Sequence, residues 1–392
     1  MNKINRKIEI PYGKQFIDKQ DILTVSKALK SKLITTGEYV TNFEKKIKET
    51  VKVKFATSCI NGTAGLHLAF LAINLKKNDV VLMPAINFIS AYSVANLMGA
   101  KIYLLDVDPF TGQITPETLL KAIKLNKLKK IKAIVTMYMG GYPENNLNFY
   151  KIKKKYNCYL IEDACHAFGA KYKFGNKFYH IGSCKHSDIS VFSFHPVKTI
   201  TTGEGGAVTT NNKSFAKRIV LYKNHSFIRQ KKYWHYDIKK LGNNYRLSDI
   251  NCALGLSQIK KLNKFINYRK KVFLFYKKEL EKFKKYIRLP NYNEKNYSSY
   301  HLFLISLNLK YLSYPKDKLF NFLNYRGIYP QYHYVPIFKF SFYKNKKNTK
   351  YYGASEYYKH TLSLPIYFGL KKKEQIHIIK SLFEFIKMYK KS

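Results

Sequence analysis

Hydrophobic and polar positions along this chain follow two different periods, which predict a series of helices and strands. Apolar residues at helical spacing predict helices near 19–30, 62–74, 88–98, 116–124 and 213–223, longer helices within 247–284, and a helix at the C-terminus. Short apolar runs predict strands near 80–83, 101–106, 131–137, 158–163, 188–194 and 206–210. Because strands and helices alternate, we expect the α/β class, with a mostly parallel sheet covered by helices.

The pattern changes after about residue 255. Lysine-rich helices and a short strand near 301–307 replace the regular alternation, and 392 residues exceed what a single hydrophobic core usually supports. We therefore predict a large domain at 1–255 and a smaller C-terminal α+β domain at 256–392. The Tyr-, Lys- and Asn-rich stretch 341–352 is expected to be a surface loop.

An uncharged stretch from Val80 to Ala100 is long enough to span a bilayer, but Pro84, Asn87 and Gly99 interrupt it. We interpret it as a buried strand, a turn and a core helix. The N-terminus leads into a charged segment without an apolar signal core. The expectation is a cytoplasmic protein with no membrane partner.

Lys198 is the first candidate for chemistry. It lies between an apolar strand and a hydroxyl- and glycine-rich turn, with Phe194, Pro196 and Ile200 nearby in sequence. A partly desolvated lysine can lose its proton near neutral pH and attack a carbonyl, forming a Schiff base with a substrate or with pyridoxal phosphate. This segment alone is equally consistent with a strand-end lysine that reaches solvent.

Asp163 ends an apolar run that begins at Tyr159, the position at which open α/β sheets bind ligands. Pyridoxal enzymes place a carboxylate against the pyridine nitrogen, because the protonated ring withdraws electrons more strongly. Asp163 could instead cap a helix. Since Lys198 also follows a predicted strand, the cofactor role is the better interpretation.

A third segment resembles an anion site. A small-residue turn leads into an apolar helix at Gly62, Thr63 and Ala64, whose backbone N–H groups and helix dipole would attract a phosphate. Asn61-Gly62 before a helix is also ordinary capping chemistry. The hydroxyl of Ser193, shortly before Lys198, offers a second phosphate contact.

These segments belong to a resemblance that runs nearly end to end. The chain resembles the DegT-type family of fold-type I pyridoxal-phosphate aminotransferases, which act on nucleotide-linked keto-sugars. The resemblance implies an aspartate aminotransferase-like fold, with a large sheet domain and a small C-terminal domain, and a homodimer with shared active sites. The matching motifs are Tyr12–Gln15, Phe43–Glu44, the Thr63 helix, Pro84–Phe88, Glu162–Ala167, the Lys198 segment, Leu241–Arg246, His333–Ile337 and Leu362–Pro365.

The resemblance also implies roles around pyridoxal 5'-phosphate, the expected cofactor. Lys198 would form the Schiff base and carry protons, and Asp163 would pair with the pyridine nitrogen. Phe88 would stack on the ring face, and His166 would lie beside the ring near its phenolic oxygen.

Further residues are assigned to the phosphate and the sugar by the same resemblance. Thr63, Ala64 and Ser193 would bind the cofactor phosphate, and Asn244 would reach the phosphate in the neighbouring subunit. His333 and Tyr334 would approach the sugar.

Residue type alone leaves ordinary alternatives for five of these positions. Phe88 could be plain core, and His166 could be a hydrogen-bonded interior histidine. Asn244 has the surroundings of a turn residue. His333 and Tyr334 could simply pack before a proline turn. For these positions the assignment depends on the resemblance.

Within the family, the segment from Gly182 to Lys198 looks most like a branch that acts in pseudaminic acid synthesis. The implied acceptor is a UDP-linked 4-keto-6-deoxy-N-acetylhexosamine, aminated at C4, and the implied donor is glutamate. Another nucleotide-linked keto-sugar of a surface glycan is the alternative. Asn87 replaces a usual hydroxyl residue, and Thr36 and Lys223–Ser226 also depart from the pattern, so they bear on the choice of sugar.

The composition adds one competing hypothesis. A net charge of +47, from 71 Lys and Arg against 24 Asp and Glu, is typical of nucleic-acid-binding proteins. The lysines, however, are spread from end to end, and arginine, the better reader of bases and phosphates, is scarce. We expect no nucleic-acid partner.

The five cysteines are odd in number and contain no Cys-x-x-Cys pair. This pattern is typical of reduced thiols. No spacing of His, Cys and Asp indicates a metal site.

Overall fold

The computed structural model describes residues 9–232, 234–313, 316–343 and 351–391. Its α-helices are α1 Lys19–Leu29, α2 Glu38–Val51, α3 Gly62–Ala72, α4 Ser90–Leu97, α5 Pro116–Leu125, α6 Asn146–Lys155, α7 Lys213–Lys223, α8 Asp249–Ile259, α9 Leu262–Glu281, α10 Lys316–Tyr325, α11 Tyr352–His360 and α12 Lys372–Tyr389. Its strands are β1 Ile10–Pro11, β2 Phe55–Cys59, β3 Val80–Pro84, β4 Lys101–Leu105, β5 Ala133–Met137, β6 Tyr159–Asp163, β7 Lys171–Phe174, β8 Lys177–His180, β9 Ile189–Ser193, β10 Gly206–Thr210, β11 Ile228–Arg229, β12 Tyr236–Asp237, β13 Ile287–Arg288, β14 Phe303–Leu307, β15 Ile328–Tyr329 and β16 Thr361–Leu364.

A seven-stranded sheet dominates the described residues, in the order β2-β10-β9-β6-β5-β3-β4. The pairs from β9 to β4 are parallel, whereas β10 runs antiparallel to both β2 and β9. Strands β5 and β10 are buried along their whole length, as expected for a sheet covered on both faces. The predicted mostly parallel α/β sheet is confirmed.

Local sequence signals account for several helix boundaries. Helix α5 begins with a reciprocal capping box between Thr115 and Thr118, followed by Pro116 at its first position. Asp18 and Asp21 form the same arrangement at the start of α1. Such caps pair N–H groups that have no partner within the helix.

The C-terminal residues form a separate core. The three-stranded sheet β13-β14-β16 packs with α9, α10 and α12 around Tyr276, Phe303 and Phe385. Ile10 of the N-terminal segment also belongs to this core, since β1 pairs with β15. The division at 255/256 stays a prediction. The second core supports it, but β1 of the N-terminal segment packs with the C-terminal residues.

Each predicted helix or strand for which both ends were given begins and ends within two residues of the observed element. Sequence patterns missed α2, although Phe43, Ile47 and Val51 are buried on one face at helical spacing. Of the predicted loop 341–352, residues 344–350 lie outside the described residues, and Tyr352 begins α11. No helix in the described part of the chain is long and apolar enough to cross a bilayer.

Candidate active site

The carboxyl ends of four strands meet at one edge of the large sheet. β2 leads into α3, β3 leads to Asn87 and Phe88, β6 ends at Asp163, and β9 ends at Ser193. A cavity of about 600 Å³ opens at this edge. This is the position where open α/β sheets bind ligands.

Eight of the ten residues predicted from the sequence line this cavity. They are Thr63, Phe88, Asp163, His166, Ser193, Lys198, His333 and Tyr334. The segment that carries the last two residues comes from the C-terminal part of the chain and faces the sheet edge across the cavity. Ala64 and Asn244 do not line it.

Lys198 lies in the turn between β9 and β10. Burial lowers the pKa of its amine, while the nearby Cys165 thiol and Asp163 carboxylate act in the opposite direction. A lowered pKa raises the fraction of neutral amine near pH 7, and the neutral form is the nucleophile. The backbone carbonyl of Lys198 accepts a 3.5 Å hydrogen bond from buried Arg269.

Asp163 is only 4% exposed and holds its carboxylate by two hydrogen bonds. The side-chain amide of Asn87 donates to Oδ2 at 3.2 Å, and the backbone N–H of Cys165 donates to Oδ1 at 3.3 Å. The carboxylate therefore has a defined orientation and unused lone pairs on the cavity side of the sheet.

His166 connects the two walls of the cavity. Its Nε2 lies 2.8 Å from the Tyr334 hydroxyl, whereas its Nδ1 is buried without a partner among the described residues. Burial, followed by Lys198 and His333, lowers the pKa of His166 well below its ordinary value. The imidazole is therefore neutral near pH 7.

The wall opposite the sheet is held by hydrogen bonds from buried side chains. His333 Nδ1 lies 2.8 Å from the hydroxyl of Ser363, and Tyr357 donates to the His333 carbonyl at 2.8 Å. Tyr334 packs against Phe88 with 5.8 Å between ring centroids. Phe88 remains 55% exposed, so one face of its ring is free for a ligand.

The start of α3 forms the third side of the cavity. Asn61 caps the helix, because its Oδ1 accepts from the N–H of Ala64 at 2.8 Å, which leaves the N–H groups of Gly62 and Thr63 without intrahelical partners. The Thr63 hydroxyl lies 2.7 Å from that of Ser90. A Cβ added to Gly62 would meet Cys165 Sγ at 3.1 Å and Ser193 Cβ at 3.2 Å.

Asn244 lies away from the cavity and is exposed. Its Oδ1 accepts from the Arg246 N–H at 3.4 Å, and its backbone pairs with Asn224. Within one chain Asn244 is therefore a turn residue. Asn244 could contact a cofactor only in the cavity of a second copy of the chain.

Sequence reasoning missed the parts played by Asn87, His301 and Arg269. His301 is buried against His166 with 4.3 Å between ring centroids, and neither of its ring nitrogens has a described partner. Arg269 joins segments by donating to the carbonyls of Ile366 at 2.7 Å and His301 at 3.2 Å. Asn87 was noticed only as a departure from a family pattern; a buried polar residue just after a strand was the available signal.

The remaining polar groups do not indicate other chemistry. All five cysteines are free thiols. The described part of the chain contains no cluster of three His, Cys, Asp or Glu side chains that could hold a metal.

The sequence is similar to known aminotransferases over nearly its whole length. The sequence pattern of the DegT/DnrJ/EryC1/StrS aminotransferase family matches residues 15–383. The UDP-4-amino-4,6-dideoxy-N-acetyl-beta-L-altrosamine transaminase of Campylobacter jejuni subsp. jejuni serotype O:23/36 (strain 81-176) is 38% identical over 385 residues, which cover 97% of this chain and 99% of the relative. GDP-perosamine synthase of Escherichia coli O157:H7 is 31% identical over 362 residues, 92% of this chain and 94% of that protein.

A solved structure gives the same result for the fold. Helicobacter pylori PseC, an aminotransferase involved in the biosynthesis of pseudoaminic acid, superimposes with a TM-score of 0.88 at 28% identity, covering 97% of this chain and 100% of that one. The expected fold-type I architecture is confirmed.

Proposed function

The chain belongs to the DegT/DnrJ/EryC1/StrS aminotransferase family, and from that premise we propose that it transfers an amino group from glutamate to the C4 keto group of a UDP-linked 4-keto-6-deoxy-N-acetylhexosamine. The observation that carries the proposal is the meeting of Lys198 and Asp163 in one cavity at the carboxyl ends of the sheet strands. It is the pairing that pyridoxal chemistry requires: an amine for covalent attachment and a carboxylate for the ring nitrogen.

Family members use pyridoxal phosphate, and the cavity has features that suit this group. Nδ1 of His166 and both ring nitrogens of His301 are buried without described partners, as expected beside a polar ligand. Gly62 lets the start of α3 pack closely against Cys165 and Ser193, because an added Cβ would meet them at 3.1 and 3.2 Å. Bound there, pyridoxal phosphate supplies a carbonyl carbon that carries the amine and a ring that withdraws electrons.

Lys198 supplies the nucleophile and the mobile proton. Its partly desolvated amine has a lowered pKa, so it can attack a carbonyl near neutral pH and later accept or donate a proton. The same amine can serve both halves of the reaction, with the donor and with the acceptor.

The residues around Lys198 orient the reacting groups. Asp163 would face the ring nitrogen through its fixed carboxylate, and Phe88 would cover one ring face with its exposed aromatic surface. His166, which is neutral and linked to Tyr334, would lie beside the phenolic oxygen. His333 and Tyr334 form the opposite wall and would contact the sugar.

The start of α3 is the proposed phosphate site. The hydroxyls of Thr63 and Ser193 line the cavity, and the first-turn N–H groups of Gly62 and Thr63 attract anions. The N–H of Ala64 already donates to the side-chain Oδ1 of Asn61. Ala64 would therefore bind the phosphate only if this capping bond were broken.

The choice of sugar is supported by the relatives. The Campylobacter jejuni relative is described as a transaminase of UDP-4-amino-4,6-dideoxy-N-acetyl-beta-L-altrosamine, and the match covers nearly all of both chains. The Escherichia coli relative at 31% identity acts in GDP-perosamine synthesis, which makes a GDP-linked keto-sugar the second candidate.

A homodimer in the cytoplasm completes the proposal. Asn244 is exposed and outside its own cavity, so it would serve the phosphate site of a second copy. Near it in sequence, Phe227 and Tyr236 are exposed and in ring contact at 4.8 Å; exposed apolar groups that cluster in this way favour an interface.

The test is a visible absorption spectrum of the purified protein, recorded before and after glutamate and then with the UDP-linked 4-keto-6-deoxy-N-acetylhexosamine. We expect a lysine-bound cofactor band that glutamate bleaches and the UDP-sugar restores, with the aminated product seen by mass spectrometry. A GDP-linked 4-keto-6-deoxyhexose is the matched acceptor. Restoration by the GDP-sugar alone would reject the proposed sugar, and failure of glutamate to bleach the band would reject the proposed donor.

A further inference from the structure

Asn87 links two residues on different sides of the proposed cofactor site. Its amide nitrogen donates to Asp163 Oδ2 at 3.2 Å, and its amide oxygen accepts from the backbone N–H of Phe88 at 2.7 Å. The residue is 2% exposed and lines the cavity. One buried side chain therefore connects the carboxylate proposed for the ring nitrogen with the backbone of Phe88, the residue proposed for the ring face.

The direction of these bonds is determined by their partners. A carboxylate only accepts and a backbone N–H only donates, so the Asn87 amide has one orientation that satisfies both. Cys165 contacts the same carboxylate, through its backbone N–H, which donates to Oδ1 at 3.3 Å, and through its thiol. Asn87 thus provides a buried amide donor that orients this carboxylate from the side of β3.

A hydroxyl residue would not reproduce this link. In Ser or Thr the donor oxygen occupies the place of the amide carbon, about 1.3 Å short of the amide nitrogen. A hydroxyl also donates only one proton and must serve both partners through a single oxygen. Asparagine separates donor from acceptor and spans the gap between Asp163 and the Phe88 backbone.

We propose that Asn87 is a positioning residue that orients the Asp163 carboxylate toward the cofactor ring, while the backbone N–H of Phe88 fixes the Asn87 amide itself. This inference rests on the role proposed above for Asp163. It does not depend on which sugar the protein uses.

The first test measures the affinity of the apoprotein for pyridoxal phosphate in Asn87→Asp, Asn87→Ala and Asn87→Ser. Asn87→Asp keeps the shape but places one carboxylate against another, so we expect at least about tenfold weaker binding, and about three- to tenfold weaker binding for Asn87→Ala. Asn87→Ser should fall between Asn87→Ala and the parent protein. Asn126→Asp, an exposed asparagine at the end of α5, is the matched control and should bind normally.

A double-mutant cycle separates positioning from simple packing. Asn87→Ala is measured in the parent protein and again in Asp163→Ala, where the amide has no carboxylate to orient. If Asn87 acts through Asp163, its substitution should change the dissociation constant less than about twofold in the second background. An equal fold-loss in both backgrounds would overturn the proposal, as would normal binding by Asn87→Asp.

A cofactor analogue gives an independent check that needs no folded double variant. With 1-deazapyridoxal phosphate, which has carbon in place of the ring nitrogen, the Asn87→Asp penalty should largely disappear. An unchanged penalty would contradict the inference. Because these titrations use cofactor alone, their failure is distinguishable from the failure of the sugar assay.

Discussion

The two walls of the cavity are built in different ways. The sheet wall carries Asp163 at the end of β6 and Lys198 in the turn after β9, and a buried network backs it in which Glu162 accepts from Tyr138 at 2.6 Å and from Ser190. The opposite wall is an irregular segment around His333, held by hydrogen bonds such as the 2.8 Å contact with Ser363.

This difference assigns different tasks to the two walls. Groups at or just beyond the ends of packed strands keep their positions because neighbouring strands and buried contacts, such as the hydrogen bond from Arg269 to the Lys198 carbonyl, restrain them. This restraint suits the reacting amine and carboxylate. Loop residues can change between relatives without disturbing the sheet, which suits the choice of sugar. We expect substitutions on the sheet wall to affect chemistry and those on the opposite wall to affect substrate binding and local stability.

The largest effect should follow Lys198→Ala. Removing the amine removes both covalent attachment and the proton carrier, so we expect turnover to fall by at least about 10³-fold. The lysine-bound absorption band should vanish while free cofactor can still bind. Lys198→Arg is the control, because it keeps the positive charge but offers no nucleophile. Full activity in Lys198→Ala would refute the mechanism.

A smaller but still large loss is expected for Asp163→Asn. The amide keeps the shape but cannot supply a negative charge to the ring nitrogen, so kcat should fall by about 10²–10³-fold while some cofactor stays bound. Single-turnover rates with glutamate alone measure this half-reaction without the sugar. A change confined to KM for the sugar would contradict the role of Asp163 in the chemical step.

Acid should weaken the wall around His333. Burial, followed by the charge of Lys198, lowers the pKa of His333 to about 3, against about 6.5 in the unfolded chain. His333 therefore binds a proton below about pH 6.5 in the unfolded state but only below about pH 3 in the folded state. The free energy of unfolding consequently decreases as the pH falls below about 6.5.

For this single residue the loss from pH 7 to pH 5 is about 2 kcal/mol. Urea unfolding of the apoprotein at both pH values measures it, and His333→Asn should show a smaller decrease than the parent protein. Equal decreases in the two proteins would show that His333 is not the group responsible.

The mildest change should be Tyr334→Phe. The ring can keep its contact with Phe88, but the hydrogen bond to His166 is lost, so we expect about a tenfold decrease in kcat/KM, mainly through KM for the sugar. Glutamate half-reaction rates should change little. A decrease confined to the rate of the glutamate half-reaction would contradict the assignment of the opposite wall to sugar binding.

The sheet wall was largely accessible from sequence, because its signals are local. An apolar run that ends in Asp163 and a lysine in a hydroxyl-rich turn each have a chemical meaning before any fold is known. Strand alternation then predicts that both lie at one sheet edge. The start of α3 was found by the same local logic, and the capping role that the sequence offered as the alternative is also present, because Asn61 accepts from Ala64.

The opposite wall could not be derived in this way. His333 and Tyr334 were proposed only through the resemblance, because their position depends on how the C-terminal segment packs across the sheet edge. His301 and Arg269 gave no local signal, since their contacts join segments far apart in sequence. Helix α2 was missed for a different reason: its buried positions are only every fourth residue among many charges.

The antiparallel strand β10 has a consequence for synthesis of the protein. β2 lies at the edge of the sheet and pairs with β10 alone, so residues 60–205 must leave the ribosome before β2 finds its partner. At about 5–20 residues per second this takes roughly 7–30 s. During that interval the backbone N–H and C=O groups of β2 stay unpaired and open to aggregation or to chaperone binding. Because α3 begins directly after β2, a nascent chain cannot complete its phosphate site until β10 has been made.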